Sequence, residues 1–414
     1  MHLATPQTPA GADGQKPRTQ GARSGQKEYA MRITGIRTFI YEAWWRNWLF
    51  VKVDTDAGIS GLGEASLQGL NKAVEIAVHN LEHEYFLGKD PRQIQMHWAN
   101  VYLDSWFHQS HVPLAALSGI EIALWDILGK SLNAPVHQLL GGATRDRIKV
   151  YNNSWYFNAK TVDEFVERAR AALAQGFKTL KWDPFWSPPL DVFNERAAML
   201  QAVECVRRVR EAVGEEVELL IEVHARLGTA DAIWMAHELE PYRPFWFEEP
   251  IPPDNLEALS RVARETHIPI TTGEKACTRW GFREMIERQM VSMIMPDIIC
   301  AGGILETVKI AAMADTYHIG VAPHSCVGPG LTAANLHLDA VIPNFLIQEL
   351  FYPDKPLYDE VLTDNFPILR DGYVEIPTKP GLGIDINEEA ITKRPHRHHP
   401  SGGHLWKPLT QMGE

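Results

Sequence analysis

ELLIE (218–222), FWFE (245–248) and ITTGE (270–274) decide the fold of this chain. Each is a short apolar run closed by an acid. The acids are Glu222, Glu248 and Glu274, and 248 − 222 and 274 − 248 both give 26. A strand interior disfavours unpaired charge, so carboxylates closing successive apolar runs belong at strand ends. A strand plus a returning helix repeats every roughly 25–30 residues, as in a (β/α)₈ barrel. Three strands in series would then deliver three carboxylates to one place. Converging carboxylates repel unless a cation sits among them, and oxygen-only donors suit a hard divalent ion such as Mg²⁺.

The same unit extends in both directions. Eight apolar runs follow one another: RIKVYNNS from Arg147, TLKWDPF from Thr179, ELLIEVHA from Glu218, FWFEEPI from Phe245, IPITTGEK from Ile268, SMIMPDII from Ser292, GVAPHS from Gly320 and FLIQELF from Phe345. Stretches between them, such as VDEFVERARAALAQGF, carry apolar residues at helical spacing. Eight such units predict a closed parallel barrel over 147–385, with chemistry at the C-terminal strand ends. Before it, RITGIRTFIYEA and WLFVKVDTD read as strands, GLGEAS closes a meander, and 70–87, 91–107 and 113–132 read as helices. That pattern predicts an α+β domain over 31–146. Residues 1–30 are rich in Gly, Gln, Pro and Thr, lack an apolar core and read as a disordered extension. The tail over 386–414 carries His396, His398, His399 and His404 at loose spacing and reads as solvated, with Trp406 as an anchor.

The 414 residues suffice for a barrel plus a smaller domain. The net charge of −12 argues against nucleic acid and anionic membrane as partners. It leaves room for an anionic substrate, because a metal and a lysine reverse the local field. No run of about 18 apolar residues predicts a membrane span. Cys205, Cys277, Cys300 and Cys326 form no C-x-x-C pair and read as reduced thiols of a cytoplasmic protein.

At the other strand ends, His224 follows Glu222 by two residues, which on a strand puts both on one face. An imidazole there serves as ligand or as acid/base. Asp297 closes the sixth run and His324 the seventh, so adjacent strands would let the acid orient the imidazole. Lys181 on the second strand and Glu349 on the eighth face the same mouth. Trp44, Trp45, Arg46 and Trp48 fall between the first two strands, where a lid loop is expected, and 67–71 would form a second lid. Trp44, Trp48, Asp183 and Arg279 are the candidate substrate contacts. Glu249 points away from the mouth and reads as structural.

GLGEA, SGIEIALWDILGK, QLLGG, IEVHARL, WFEEPIPPDN, TTGEK, MPDIICAGGI and PHSCVGPG together resemble the enolase superfamily, in its mandelate-racemase-like branch, over about Met31 to Glu389. The resemblance implies an α+β cap over a modified (β/α)₈ barrel of (β/α)₇β type, with the tail returning to the cap. It implies one Mg²⁺ held by Glu222, Glu248 and Glu274, a small carboxylate substrate, a base that removes its α-proton, and a homo-oligomer. Sites of this superfamily pair a Lys or His base with Mg²⁺.

Two departures set the subgroup. Racemases of the branch carry Lys-x-Lys on the second strand, where this chain has Lys181-Trp182-Asp183. The third strand carries Glu222-Val223-His224, an acid-x-His pair similar to sugar-acid dehydratases of the galactonate and mannonate type, although Glu stands where Asp is commoner. The expected reaction is dehydration of an aldonate or aldarate to a 2-keto-3-deoxy acid through an enediolate. His324 with Asp297 would be the base, His224 the acid, and Lys181 and Glu349 would hold the reacting carboxylate. An epimerase or cycloisomerase using the same enediolate is the nearest alternative. A non-catalytic binding protein on the same fold is the next, since fold alone never fixes activity. A two-metal hydrolase would want His-x-His on the first strand, which reads VYNNS.

Overall fold

The computed structural model describes residues 31–106, 110–185 and 196–399. The N-terminal extension, Phe107, His404 and Trp406 lie outside the described residues. The chain opens with an antiparallel meander of β1 (Ile33–Ala43), β2 (Arg46–Thr55) and β3 (Ser60–Glu64). Helices Asn71–Leu81, Ile94–Asp104 and His111–Leu132 complete this cap. The last is long and apolar enough to cross a bilayer, yet it is a core helix, packed along β3 and mostly buried. A Cβ on Gly63 would lie 1.9 Å from the Gly119 carbonyl oxygen, so only glycine lets strand and helix approach this closely.

The barrel is built from β4 (Arg147–Asn152), β5 (Thr179–Trp182), β6 (Glu218–Glu222), β7 (Trp246–Glu248), β8 (Ile270–Thr272), β9 (Met293–Ile294), β10 (Gly320–Val321) and β11 (Gln348–Leu350). Each of the first six pairs in parallel with the next, and β11 pairs in parallel with β4. The ring closes where the Leu346 N–H donates to the Val321 carbonyl at 2.8 Å and the Val321 N–H donates to that of Asn344 at 2.9 Å. Alternation sorts the side chains. Leu219, Ile221 and Phe247 face the helices, while Tyr151, Leu220, Trp246, Met293 and Ile347 fill the barrel interior. Thr161 and Asn255 cap the helices Val162–Ala174 and Leu256–Glu265.

Buried carboxylates fasten cap to barrel. Glu64 accepts from the Gly328 and Leu331 amides at 2.7 and 2.9 Å, and so caps the helix Pro329–Val341. Glu121 accepts from the Ile304 and Leu305 amides at 2.9 and 3.0 Å, at the start of the helix Ile304–Asp315. Both put negative charge at a helix N-terminus. Burial pushes Glu64 and Glu121 up to about 7 against these bonds. Gly303, at φ +101, is required because a Cβ there would lie 2.5 Å from the Glu121 carboxylate. The chain then returns to the cap, where Arg394 pairs with Glu42 at 2.8 Å and Glu388 with Arg37 at 2.8 Å.

Three expectations are corrected. No lid loop separates β1 from β2: they are joined by Trp44 and Trp45 alone, with Trp44 at φ +60. Trp48 lies within β2, fully buried, and stacks on Tyr41 with ring centroids 5.5 Å apart. It is cap core rather than a substrate contact. Arg46 is buried, ion-paired to Asp354 and held between the Trp45 and Phe351 rings at 4.4 and 4.6 Å. The second expected lid is tied down, since the Leu67 amide donates to Asn71 Oδ1 at 2.9 Å and Asn71 donates to the Asn47 carbonyl. Finally, β12 (Leu369–Arg370) and β13 (Tyr373–Glu375) form a hairpin whose second strand pairs antiparallel with β4, an addition too short for the sequence pattern to mark.

Removing one partner of a buried ion pair leaves the other charge uncompensated. Asp354→Leu is therefore expected to lower unfolding stability by about 3–5 kcal/mol, with Arg46→Met in the same chain restoring part of the loss. Urea denaturation of the single and double variants measures both.

Candidate active site

The barrel mouth collects the charged residues. Glu222 and Glu248 end β6 and β7, and Glu274 lies two residues past β8. One oxygen from each lies within 4.8 Å of the others. Burial, then the charge of Glu248, holds Glu222 well above the usual carboxylate range. Burial would also raise Glu274, but Lys275, His324 and His224 outweigh it and hold that group well below the range. Like charge compressed into one buried space is the condition a cation relieves, and three carboxylate donors suit a hard divalent ion. The residues fit a divalent metal.

Lys181 projects inward from β5 into this cluster. Its Nζ lies 2.7 Å from Glu248, 2.8 Å from Glu349 and 3.9 Å from Glu222. Burial would lower its pKa, but Glu248 and Glu349 outweigh that and hold it well above the ordinary value. Glu349 also accepts from Asn153 Nδ2 and the Ser325 amide, both at 2.7 Å. Burial would raise its carboxyl, but Lys181 and His324 hold it low. Trp246, from inside the barrel, donates to the second oxygen of Glu248 at 2.9 Å.

His324 stands three residues past β10, with Nδ1 2.8 Å from Asp297 Oδ2 and Nε2 3.3 Å from Glu274. Asp297 Oδ1 is itself fixed by the Ile299 amide at 2.7 Å. Burial would depress His324, but Cys326, Glu274, Glu349 and the Asp297 bond hold it well above its usual value.

His224 lies beyond the end of β6 with φ +49, so strand alternation does not set its direction. Its backbone N–H donates to Glu222, and its Nδ1 lies 2.8 Å from Asp183 Oδ2. Asp183 is thereby corrected as a substrate contact. It is buried, and its oxygens are taken by His224, by Arg226 and by the Phe185 amide at 2.8 Å. Burial would raise Asp183, but Arg226 and His224 bring it below the usual range. Arg279 is also corrected: its guanidinium pairs with buried Glu306 at 2.5 Å and stacks on Trp280 at 3.9 Å. Trp44 remains 43% exposed at the hairpin tip. Glu249 faces away, bonded to Thr272 and Lys275.

Three residues with evident roles at the mouth escaped the sequence reading. Asn153 sits in VYNNS at the end of the first strand, Arg226 in IEVHARL, and Lys275 in TTGEK. Lys275 adjoins Glu274 and Arg226 stands two residues after His224, which was their signal, whereas Asn153, between Asn152 and Ser154, carried none.

Fold and site together define a capped (β/α) barrel with a buried acid cluster flanked by two aspartate–histidine pairs. Residues 43–141 match the mandelate racemase / muconate lactonizing enzyme N-terminal domain, and residues 164–390 match the enolase C-terminal domain-like family. The chain is 37% identical over 369 residues to the D-galactonate dehydratases of Cronobacter sakazakii (strain ATCC BAA-894) and Ralstonia pickettii (strain 12J), covering 88% of this chain and 94% of each relative. A solved enolase-superfamily member from Salmonella Typhimurium superposes with a TM-score of 0.83 at 31% identity, covering 88% of this chain and 98% of that one. The chain belongs to the mandelate racemase/muconate lactonizing enzyme branch of the enolase superfamily.

A ligand carboxylate binds metal only when deprotonated, and Glu222 is held up in its absence. Binding of a divalent cation is therefore expected to release protons and to tighten as pH rises. Calorimetry in two buffers of different ionisation enthalpy reads this directly, and identical heats in both would contradict it.

Proposed function

We propose that the protein is a hydro-lyase that dehydrates a sugar acid to its 2-keto-3-deoxy product. The observation that carries this reading is the pair of aspartate–histidine contacts, each 2.8 Å, on either side of one carboxylate cluster. Relatives 37% identical over most of their length carry the same activity in their names, and D-galactonate is the first substrate to test.

A divalent cation held by Glu222, Glu248 and Glu274, with Mg²⁺ the expected species, would supply the charge that binds the substrate carboxylate and offsets a second negative charge on it. The chain's own groups do the rest. His324, its Nδ1–H directed at Asp297, takes the C2 proton on Nε2. The C–H electron pair passes into the carboxylate, giving the enediolate. Lys181 places a buried cation beside that charge, and Glu349 holds Lys181. The enediolate electrons then form the C2–C3 double bond as the C3–O bond breaks. His224 gives its Nε2 proton to the departing hydroxyl, which leaves as water. The enol then tautomerises to the ketone. Two proton-transfer groups of this kind each contribute about 10²–10⁴-fold.

The second strand offers no second lysine, since Asp183 stands two residues after Lys181, so this site lacks that base for two-base racemisation. Two imidazoles could still exchange one proton across C2. Epimerisation is therefore the second reading, and the variants separate it from the first. With D-galactonate in D₂O, His324→Asn is expected to lose C2 deuterium exchange by at least about 10²-fold. His224→Asn is expected to keep exchange and lose elimination. Elimination at the wild-type rate in His224→Asn would remove His224 from the role of acid.

A further inference from the structure

We propose that Asp183, braced by Arg226, is a positioning residue that fixes the tautomer and aim of His224, so that the mouth carries two built aspartate–histidine dyads rather than one. The inference rests on the dehydration reading for its kinetic consequence, but not for its geometry.

Asp183 stands one residue past β5, and alternation turns it inward on the same face as Lys181. β5 is hydrogen-bonded to β6, and His224 lies two residues past β6. A carboxylate only accepts, so the 2.8 Å contact places a hydrogen on His224 Nδ1 and leaves Nε2 as the nitrogen that exchanges protons. The His224 side chain is 28% exposed, whereas Asp183 and Arg226 are buried. The turn itself is held from behind. His224 and Ala225 sit at φ +49 and +58, the Ala225 amide donates to the Glu249 carbonyl at 2.7 Å, and Arg226 Nε donates to the Val223 carbonyl at 3.0 Å. Arg226 then reaches Asp183 with its Nη2.

The other dyad has the same construction. Asp297 follows β9, His324 follows β10, and the contact is again Nδ1 to Oδ2 at 2.8 Å. In both, the acid comes from the strand immediately before the imidazole's own: strands two and three, and strands six and seven. Those pairs lie four strands apart in a ring of eight, which puts them on opposite sides of the mouth. In the transfer step the Nδ1 hydrogen stays on the bond to Asp183, while the Nε2 proton leaves with the C3 hydroxyl as water.

Two measurements on Asp183→Asn and Asp183→Glu test this, with a thermal melt to confirm folding. The first is ¹⁵N-histidine NMR of the whole protein, with His224 assigned by difference from His224→Gln. Read on the neutral ring, at the alkaline end of its titration, the expected result is the Nδ1–H tautomer in wild type and its loss or mixing in Asp183→Asn; the imidazolium formed as pH falls carries the Nε2 proton that is given. An Nε2–H tautomer in wild type overturns the proposal. The second is the split between C2 deuterium exchange and elimination. Asp183→Asn is expected to lower elimination by about 10²-fold or more with exchange and KM nearly unchanged, and Asp183→Glu to recover part of it. Exchange and elimination falling together would make Asp183 merely structural and overturn the proposal. If wild type neither exchanges nor eliminates any sugar acid, the dehydration reading fails and the tautomer result alone decides the dyad.

Discussion

The convergence of Glu222, Glu248 and Glu274 is the constraint on which the rest of the structure depends. With an oxygen of each within 4.8 Å of the others, every pair of carboxylates repels by about 3 kcal/mol or more at an effective dielectric of about 20. A whole domain is stable by only about 5–15 kcal/mol. Lys181 brings one positive charge, and Glu349 competes for it at 2.8 Å. Lys275 brings a second, 2.9 Å from Glu274, but it is shared with Glu249, and two lysines cannot offset these acids. Burial and the charge of Glu248 hold Glu222 well above the usual carboxylate range, while Lys275, His324 and His224 outweigh burial and draw Glu274 below it. A buried acid cluster whose members' pKa values are driven apart fits a divalent cation.

Such a mouth needs a rigid surround. The cap supplies it through buried acids that grip barrel helices at their N-termini, and through Arg46, held between two aromatic rings and paired with Asp354. The hairpin carrying Trp45 is thus part of the wall, not a mobile flap. The same economy appears inside the barrel, where Trp246 fills the core with its ring and steadies Glu248 with its indole N–H.

The barrel was legible because short apolar runs at a regular interval and a recurring terminal acid are local signals. ELLIE, FWFE and ITTGE are read without knowing any neighbour. The 44–48 segment misled because a Trp-rich stretch imitates a loop, and its turn has no Gly or Asn at the left-handed position, only Trp44. Asp183 and Arg279 misled for another reason. Each has a charged partner distant in sequence, His224 at 41 residues and Glu306 at 27, and only the folded barrel brings them together. The Asp297–His324 pair is equally non-local, yet both members close recognisable strand runs.

The most direct measurement is proton NMR of the purified protein with Mg²⁺ in D₂O, mixed with D-galactonate and a panel of other aldonic and aldaric acids. The account predicts a 2-keto-3-deoxy product, deuterated at C3, from one or a few of them. Deuterium entering C2 of the recovered substrate, with the C3 hydroxyl retained and no keto acid formed, would contradict it.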